Sequence, residues 1–314
     1  MRMAVTRMRF TGTGTGTFYI DLNKALSLQL RKLHRQKVIT TVYGGYFVDA
    51  AQDAGTSRVD LAVAPNTWPV RRSINRAFAQ WRKMIAKTLA NTEGMQSGKW
   101  NDFKIYLNNT MGSSPLLPKD ADGHDLFVTS SDIDWDYSTL TTEDPTTASD
   151  ESSTNYGGPG TALEGMAPDQ FELMIVGPHV GSSGAWSRVG TLQSWVDSRP
   201  LVDTSEPNNA PLSLGADPLA NLFDAGDTDD DKIVILETEG DRPPYEDTAM
   251  FGNAAANGAQ NNLMRVSTSI STATQHVAPV HGFEALCGLV EVDVVRADGD
   301  WELVLDVESK GVKF

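Results

Sequence analysis

Short runs in which apolar and polar residues alternate recur along this chain, and this period of two is typical of β-strands with one buried face. Longer polar stretches rich in Asp, Asn, Gly, Ser and Thr lie between the runs and favour turns and loops. The alternating runs predict strands at residues 3–10, 38–48, 58–64, 103–107, 126–135, 171–176, 188–196, 233–237, 264–274, 285–295 and 301–307.

Two segments change to the spacing of an amphipathic helix. Asp21 is a suitable N-cap for the first helix, which we expect to run to about residue 36. The second helix is predicted at residues 70–91, because Pro69 precedes it and Gly94 follows it. Its apolar stripe recurs at spacings of four, three, four and four, at Ile74, Phe78, Trp81, Ile85 and Leu89.

Many short strands with few helices predict a mainly β fold. We expect a jelly-roll-like antiparallel β-sandwich with one or two inserted helices and long loops. Residues 1–314 are predicted to form a single domain, with long surface loops at about 141–160 and 197–231.

The last two predicted strands are separated by Asp298-Gly299, a dipeptide that favours a tight hairpin turn. A hairpin centred there would pair Val292 with Leu305 on an apolar face, and Glu291 with Asp306 on an acidic face. That carboxylate pair would share a proton or bind a cation, or would simply be part of a solvated acidic face.

Charge is strongly segregated along the chain, which holds 26 Lys+Arg and 41 Asp+Glu and has a net charge of −15. Residues 1–104 hold 17 Lys+Arg and 6 Asp+Glu, a net of +11, whereas the remainder holds 9 and 35, a net of −26. Such segregation can build a molecule with one basic and one acidic surface, and a basic surface attracts polyanions.

Two basic clusters are the candidate nucleic-acid-binding residues. The helix at 70–91 carries cations at spacings of four, seven and four, away from its apolar stripe. Contacts between such cations and phosphates give salt-dependent binding without sequence preference, although a solvated helix face is the plainer alternative. The candidates are Arg72, Arg76, Lys83 and Lys87 on this helix, and Arg31, Lys32 and Arg35 on the earlier segment.

The densest acidic cluster offers a predicted calcium site, with Asp227, Asp229 and Asp231 as candidate ligands. An EF-hand is excluded, because Lys232 replaces the loop glycine and Thr238 the final Glu. We expect no other cofactor. The single Cys287 has apolar neighbours and is expected to be a buried, unreactive thiol.

No catalytic signature stands out. The five histidines have no metal-ligand spacing, and His179 has no GxSxG sequence near it. The tract TGTGTGT at residues 11–17 lacks both GxGxxG spacing and a Walker lysine. We therefore expect a protein that is not an enzyme.

Eight to ten predicted strands, with a helix or two between early strands, give the chain a family likeness. Three segments contribute to it, namely VITTVYGGYFV, PNTWPVRRSINRAFAQW and GFEALCGLVEVDVV. It resembles the single jelly-roll capsid proteins of small icosahedral single-stranded DNA viruses. The resemblance implies a virion shell subunit that assembles with copies of itself around single-stranded nucleic acid, basic helices inward. Many such capsids have a long basic N-terminal arm, whereas only Arg2, Arg7 and Arg9 lie near this terminus.

If the chain is a shell subunit, large apolar side chains in its loops would set the strength of subunit contacts, and Trp186, Trp195 and Tyr245 are the candidates. The alternatives are a carbohydrate-binding β-sandwich and a surface protein of a salt-adapted organism, in the cytoplasm or a saline medium. No membrane partner is expected, because the apolar runs are far shorter than a membrane span.

Overall fold

The strands in the described part of the chain belong to three β-sheets. The computed structural model describes residues 5–49, 55–91, 97–126, 135–141, 170–182, 185–197, 263–297, 299–308 and 311–314. The chain divides into two compact units, Met1–Trp195 with Ala249–Phe314, and Val196–Thr248. The three sheets belong to the first unit, and the expected single domain stays a prediction.

Two sheets face each other across one apolar core, and all their strand pairs are antiparallel except the short parallel pair of β2 with β5. The first has the order β1-β13-β3-β11 and is formed by Val5–Thr13, Asp300–Glu308, Ile39–Asp49 and Val277–Leu286. The second has the order β10-β4-β12-β2-β5 and is formed by Met264–Thr272, Thr56–Val63, Leu289–Arg296, Gly16–Asp21 and the short Pro115–Leu116. Side chains from both sheets meet in the core, with Phe10, Phe47 and Leu305 from the first and Ile20 and Leu61 from the second.

The strand pairs are nested. β1 pairs with β13, β2 with β12, β3 with β11 and β4 with β10, and successive pairs alternate between the two sheets. This double Greek key is the jelly roll, so the fold class predicted from the sequence is confirmed. The connection between β4 and β10 carries a long insertion with most of the remaining elements.

The predicted C-terminal hairpin is wrong. Strands β12 and β13 lie in different sheets, so Glu291 lies opposite Tyr19 and Ala62, and Asp306 lies opposite Arg7 and Gly44. Each strand has one apolar face, and the two faces meet across the sandwich core instead of side by side in one sheet. Alternation alone does not distinguish these arrangements, and Asp298 of the expected turn lies outside the described residues.

Helix α1, Leu22–Leu30, connects β2 to β3 and begins at Asp21, as predicted. It is shorter than expected. Arg31 adopts the left-handed conformation, with φ of 51°, and ends the helix. The chain then turns back, so that the Gln36 amide donates to the Asp21 carboxylate at 2.6 Å.

Helix α2, Trp68–Asn91, confirms the helix predicted at 70–91. Its apolar stripe packs in a second core, away from the space between the sheets. Ile74 and Trp81 are buried there beside Phe103, whose ring centroid is 5.8 Å from that of Trp81. The second core thus holds the insertion against the jelly roll through Tyr19 and Leu289.

The rest of the insertion forms a third sheet and a short helix, α3. The sheet has the order β6-β7-β9-β8, and its strands are Thr139–Thr141, Gln170–Met174, Ala185–Gly190 and Val180–Ser182. The strand predicted at 188–196 ends at Gly190, where α3, Thr191–Asp197, begins. Several predicted elements lie outside the described residues. They are the strand at 233–237, almost all of the strand at 126–135 and almost all of both long loops.

Cys287 is buried in the tight connection between β11 and β12, as expected. Burial raises the pKa of its thiol, which keeps the sulfur protonated. Within the part of the chain that the structure describes, no helix is both long and apolar enough to cross a membrane.

A buried polar network joins the second sheet to the insertion. The Tyr19 hydroxyl donates to Glu291 Oε2 at 2.9 Å, and the Asn108 amide donates to the same oxygen at 3.0 Å. Burial raises the pKa of Glu291, although these two donors oppose the shift, and burial also raises the pKa of Tyr19 to about 12. Ionised Glu291 is therefore less favourable in the folded chain than in water.

Because the pKa of Glu291 is raised in the folded chain, its contribution to the free energy of unfolding changes with pH in a known direction. The contribution of Glu291 is fully present below its unfolded pKa and is lost as pH rises through the higher folded pKa. We expect the free energy of unfolding of the native protein to fall relative to that of Glu291→Gln as pH rises above 4.5, the ordinary pKa of a glutamate. Urea unfolding at several pH values measures the difference; the exposed Glu284→Gln is the control, and a difference that is flat or grows with pH would contradict the assignment.

Close approach of β3 and β13 requires glycine at position 45. A Cβ there would overlap the carbonyl oxygen of Val304 in the neighbouring strand. We expect Gly45→Ala to lower the free energy of unfolding by about 2 kcal/mol, because the strands must separate. Gly98→Ala is the matched control, since its new Cβ would find its nearest neighbour 4.0 Å away. Equal urea midpoints for both variants would refute this strand pairing.

Candidate nucleic-acid interface

Helix α2 has six cations and no acidic residue among its 24 residues, within a chain of net charge −15. The four residues predicted from spacing, Arg72, Arg76, Lys83 and Lys87, are exposed on the side away from the apolar stripe. The remaining cations, Arg71 and Arg82, lie nearer to the stripe, where Arg71 is half-buried and Arg82 is exposed. The predicted helix face therefore exists as a folded cationic surface.

The earlier basic cluster follows the end of α1. Arg31, Lys32 and Arg35 are exposed there, as their proposed role requires. Arg35 Nε lies 3.8 Å from Asp102 Oδ2, but the arginine side chain is 67% exposed. An ion pair this exposed contributes little, so the guanidinium remains accessible to a phosphate.

One cation from each of the two segments lies at the ring of Phe78. Lys37 Nζ lies 4.3 Å from the ring centroid, and the Arg82 guanidinium lies 5.8 Å from it. The pKa of Lys37 is lowered, first by burial and then by the nearby charges of Arg82 and Lys313, although Cys287 opposes the shift. The basic surface is defined here as Arg31, Lys32, Arg35, Lys37, Arg72, Arg76, Arg82, Lys83 and Lys87.

Sequence reasoning assigned no binding role to Arg82 and Lys313. Arg82 follows Phe78 by four residues, so helical spacing could have placed it beside that ring. Lys313 lies near the C-terminus and carries no local signal that links it to α2. Its proximity to Lys37 depends on the tertiary fold alone.

The carboxylate of Asp21 fixes the first cluster in position. Its Oδ1 accepts the backbone N–H groups of Asn23 at 3.1 Å and Lys24 at 3.0 Å, which caps α1. Its Oδ2 accepts the Gln36 amide and the Trp135 indole N–H, the latter at 3.0 Å. Burial raises the pKa of Asp21 despite these donors. The segment that carries Arg31, Lys32 and Arg35 is therefore held at both ends, at the start of α1 and at Gln36.

The acidic face expected on the last two strands is partly neutralised. Arg7 holds Asp306 through two hydrogen bonds of 2.7 and 2.8 Å, and Arg9 lies 2.9 Å from Glu302. The Arg7 guanidinium, chiefly by hydrogen bonding, lowers the pKa of Asp306. Both arginines belong to β1, so neither can act as part of a basic arm.

The predicted subunit contacts lie in different surroundings. Trp195 is half-buried and its ring meets Trp68 of α2 edge-on at 5.3 Å, and Trp186 meets His179 at the same distance. Their roles between subunits stay predictions. Tyr245 lies outside the described residues, as do the proposed calcium ligands Asp227, Asp229 and Asp231.

One turn in the described part of the chain brings together side chains that can ligate a metal. Ligand atoms of Asp120, Asp122 and His124 lie within 4.8 Å of one another. Asp120 Oδ1 also accepts the backbone N–H groups of His124 at 2.8 Å and Asp122 at 2.9 Å, and the His124 N–H is the main cause of its lowered pKa. These bonds explain the turn without a metal.

Comparison with known proteins assigns this chain to no family. No family model, no curated protein and no solved structure matches this chain. Function therefore has to be inferred from the jelly roll and from the charges of the basic surface.

The role of Asp21 can be tested by Asp21→Asn. The amide keeps an oxygen for the helix cap but turns an NH₂ group toward two buried donors, from Gln36 and Trp135. We expect the free energy of unfolding to fall by about 2 kcal/mol, because those donors lose their acceptor. Asp300→Asn, at an exposed position of β13, should change it by less than about 0.5 kcal/mol in the same urea titration. An equally small change for Asp21→Asn would contradict the role.

Proposed function

We propose that this chain is a structural shell protein. Copies of it self-assemble into a closed icosahedral particle that encloses single-stranded nucleic acid, with the basic surface directed inward. No catalytic step is part of this role. Two features support the proposal. The first is the jelly roll, an architecture used by viral capsids, lectins and cupins. The second is the charge distribution, which favours a capsid over a lectin or a cupin.

The observation that carries the proposal is α2, an ordered helix with six cations and no acids in an acidic chain. Polyanions bind such a surface through phosphate contacts that release counterions. The resembled capsids often use a basic arm, whereas here the cations lie on folded elements. Binding should therefore depend on the native fold as well as on charge.

The acidic remainder of the chain sets the conditions for assembly. Residues 105–314 have a net charge of −26, so neighbouring copies repel each other where these residues approach. Salt screens such repulsion over about 10 Å at 0.1 M ionic strength. Assembly should accordingly require salt or divalent cations, with calcium as the candidate ion.

Self-assembly is tested with the purified full chain at low and high salt, with and without chelator, by negative-stain microscopy and sedimentation. We expect uniform closed particles at high salt and smaller species at low salt with chelator. A monodisperse monomer at every salt concentration would refute the shell role. Equal stability of the particles in low salt with chelator would refute the ion requirement alone.

Nucleic-acid binding is tested by removing two charges at a time. We expect Arg76→Gln with Lys83→Gln to make the logarithmic salt dependence of oligonucleotide affinity shallower by about 1.4, because two phosphate contacts disappear. Arg7→Gln with Lys119→Gln removes the same charge from ion pairs on other elements and should leave the slope unchanged. Fluorescence anisotropy with a labelled single-stranded 15-mer supplies both slopes, and equal changes in the two double variants would contradict the assignment.

A carbohydrate-binding module is the second candidate, because Trp68 and Trp100 are each 50% exposed and indoles can serve as sugar platforms. The ammonium of Lys99 lies 4.8 Å from the Trp100 ring, which suits an anionic ligand better than a neutral sugar. A glycan-array signal together with no oligonucleotide binding would select this candidate. A salt-adapted surface protein is the third candidate, and it predicts cations scattered over the fold instead of gathered on one surface.

A further inference from the structure

A pocket of about 360 Å³ opens beside α1, at the edge of the basic surface. One wall is α1 and the turn that follows it, and the other is formed by two tryptophans of the insertion, Trp100 and Trp135. Pockets from about 300 Å³ upward hold small organic ligands, so this one has room for a single nucleotide.

The charged residues that line the pocket are all cations. Lys24, Arg31 and Lys32 line it, and none of its described lining residues is acidic, although acids outnumber bases 41 to 26 in the chain. Burial lowers the pKa of Lys24, while the nearby carboxylates of Asp21 and Asp136 oppose the shift. Three cations around one small space favour an anion such as a phosphate.

The position of Arg31 is unusual. It is one of two described residues other than glycine with positive φ, and it occupies the helix C-cap where glycine is the common choice. Residues held in this conformation are concentrated at binding sites. Its exposed side chain lies at the rim of the pocket.

The aromatic wall combines a fixed ring with an accessible one. Trp135 is 9% exposed, and its indole N–H is held by Asp21 at 3.0 Å, so the ring has one orientation. Trp100 is 50% exposed and offers ring surface to a ligand. Stacking of bases on such rings is a general mode of single-strand binding, and it tolerates any base.

The described lining offers little for reading the edge of a base. Ser27 Oγ donates to the Asn23 carbonyl at 2.7 Å and accepts the His34 N–H at 2.8 Å. Its hydrogen-bonding capacity is thus used within the turn. A ligand held here is recognised by its aromatic plane and its phosphate, without preference for one base.

We propose that this pocket is a nucleotide subsite that holds one unpaired nucleotide of a single strand, with its base on Trp100 and its phosphate on Arg31 and Lys32. The subsite rests on the proposed nucleic-acid binding and adds to it a contact with a base. It predicts that affinity depends on the presence of bases as well as on the number of phosphates.

The test compares two labelled 15-mers of equal charge, oligothymidylate and a fully abasic strand, by fluorescence anisotropy with the full-length protein. We expect Trp100→Ala to weaken oligothymidylate binding about tenfold and to leave abasic binding unchanged, because only stacking is lost. Trp100→Phe should restore most of the affinity. Trp68→Ala, at an equally exposed tryptophan of α2, is the matched control and should alter neither affinity.

Each outcome distinguishes the subsite from the wider proposal. Equal binding of the two strands by the native protein, or equal weakening of both by Trp100→Ala, would overturn the subsite while leaving phosphate binding intact. Failure of the native protein to bind either strand would overturn nucleic-acid binding itself. Quenching of tryptophan fluorescence by neutral oligosaccharides but not by oligothymidylate would assign the pocket to a sugar.

Discussion

The buried carboxylate of Asp21 is the constraint on which the arrangement of this molecule depends. Polar oxygens removed from water cost free energy unless hydrogen-bond donors surround them. The donors here come from three parts of the chain, namely the start of α1, Gln36 and the insertion with Trp135. None can move away without leaving a buried carboxyl oxygen or its own polar group without a hydrogen bond, so the three parts are held in one geometry.

This constraint connects the jelly roll to the surface that we associate with function. Asp21 ends β2 of the second sheet and starts α1, and its partner Gln36 ends the segment that carries Arg31, Lys32 and Arg35. Gln36 in turn accepts the backbone N–H of Ile105 at 2.6 Å, which extends the connection into the second core. The cations are consequently presented by ordered backbone, unlike those of a flexible arm.

Much of the fold could be predicted, because the alternation of apolar and polar residues within one β-strand and the spacing of apolar residues within one helix are local properties. The stripe of α2 and most strands of the two sheets follow from them. Strand β11 was missed, since Pro279, His281 and Gly282 interrupt its pattern although Val280 and Phe283 face the core. The partner of β12 was wrongly assigned for a different reason, because pairing in a jelly roll joins residues far apart in sequence, as Glu291 and Tyr19 are.

The candidate site likewise has one part that the sequence could predict and another that it could not. Exposure of Arg72, Arg76, Lys83 and Lys87 follows from their position opposite an apolar stripe, so the sequence alone could predict it. The meeting of Lys37 with Arg82 over Phe78, and of Arg31 with Trp100 around one pocket, requires the tertiary fold. Long-range proximity of this kind has no signal in spacing or composition.

Contact between the basic surface and nucleic acid can be measured by lysine footprinting. Acetylation of the full-length protein, with and without a single-stranded oligonucleotide, is quantified at each lysine by mass spectrometry. We expect the oligonucleotide to protect Lys32, Lys37, Lys83 and Lys87, whereas Lys119, which is paired with Asp125, should react equally in both samples. Equal labelling at all five lysines, or protection confined to Lys119, would contradict this expectation.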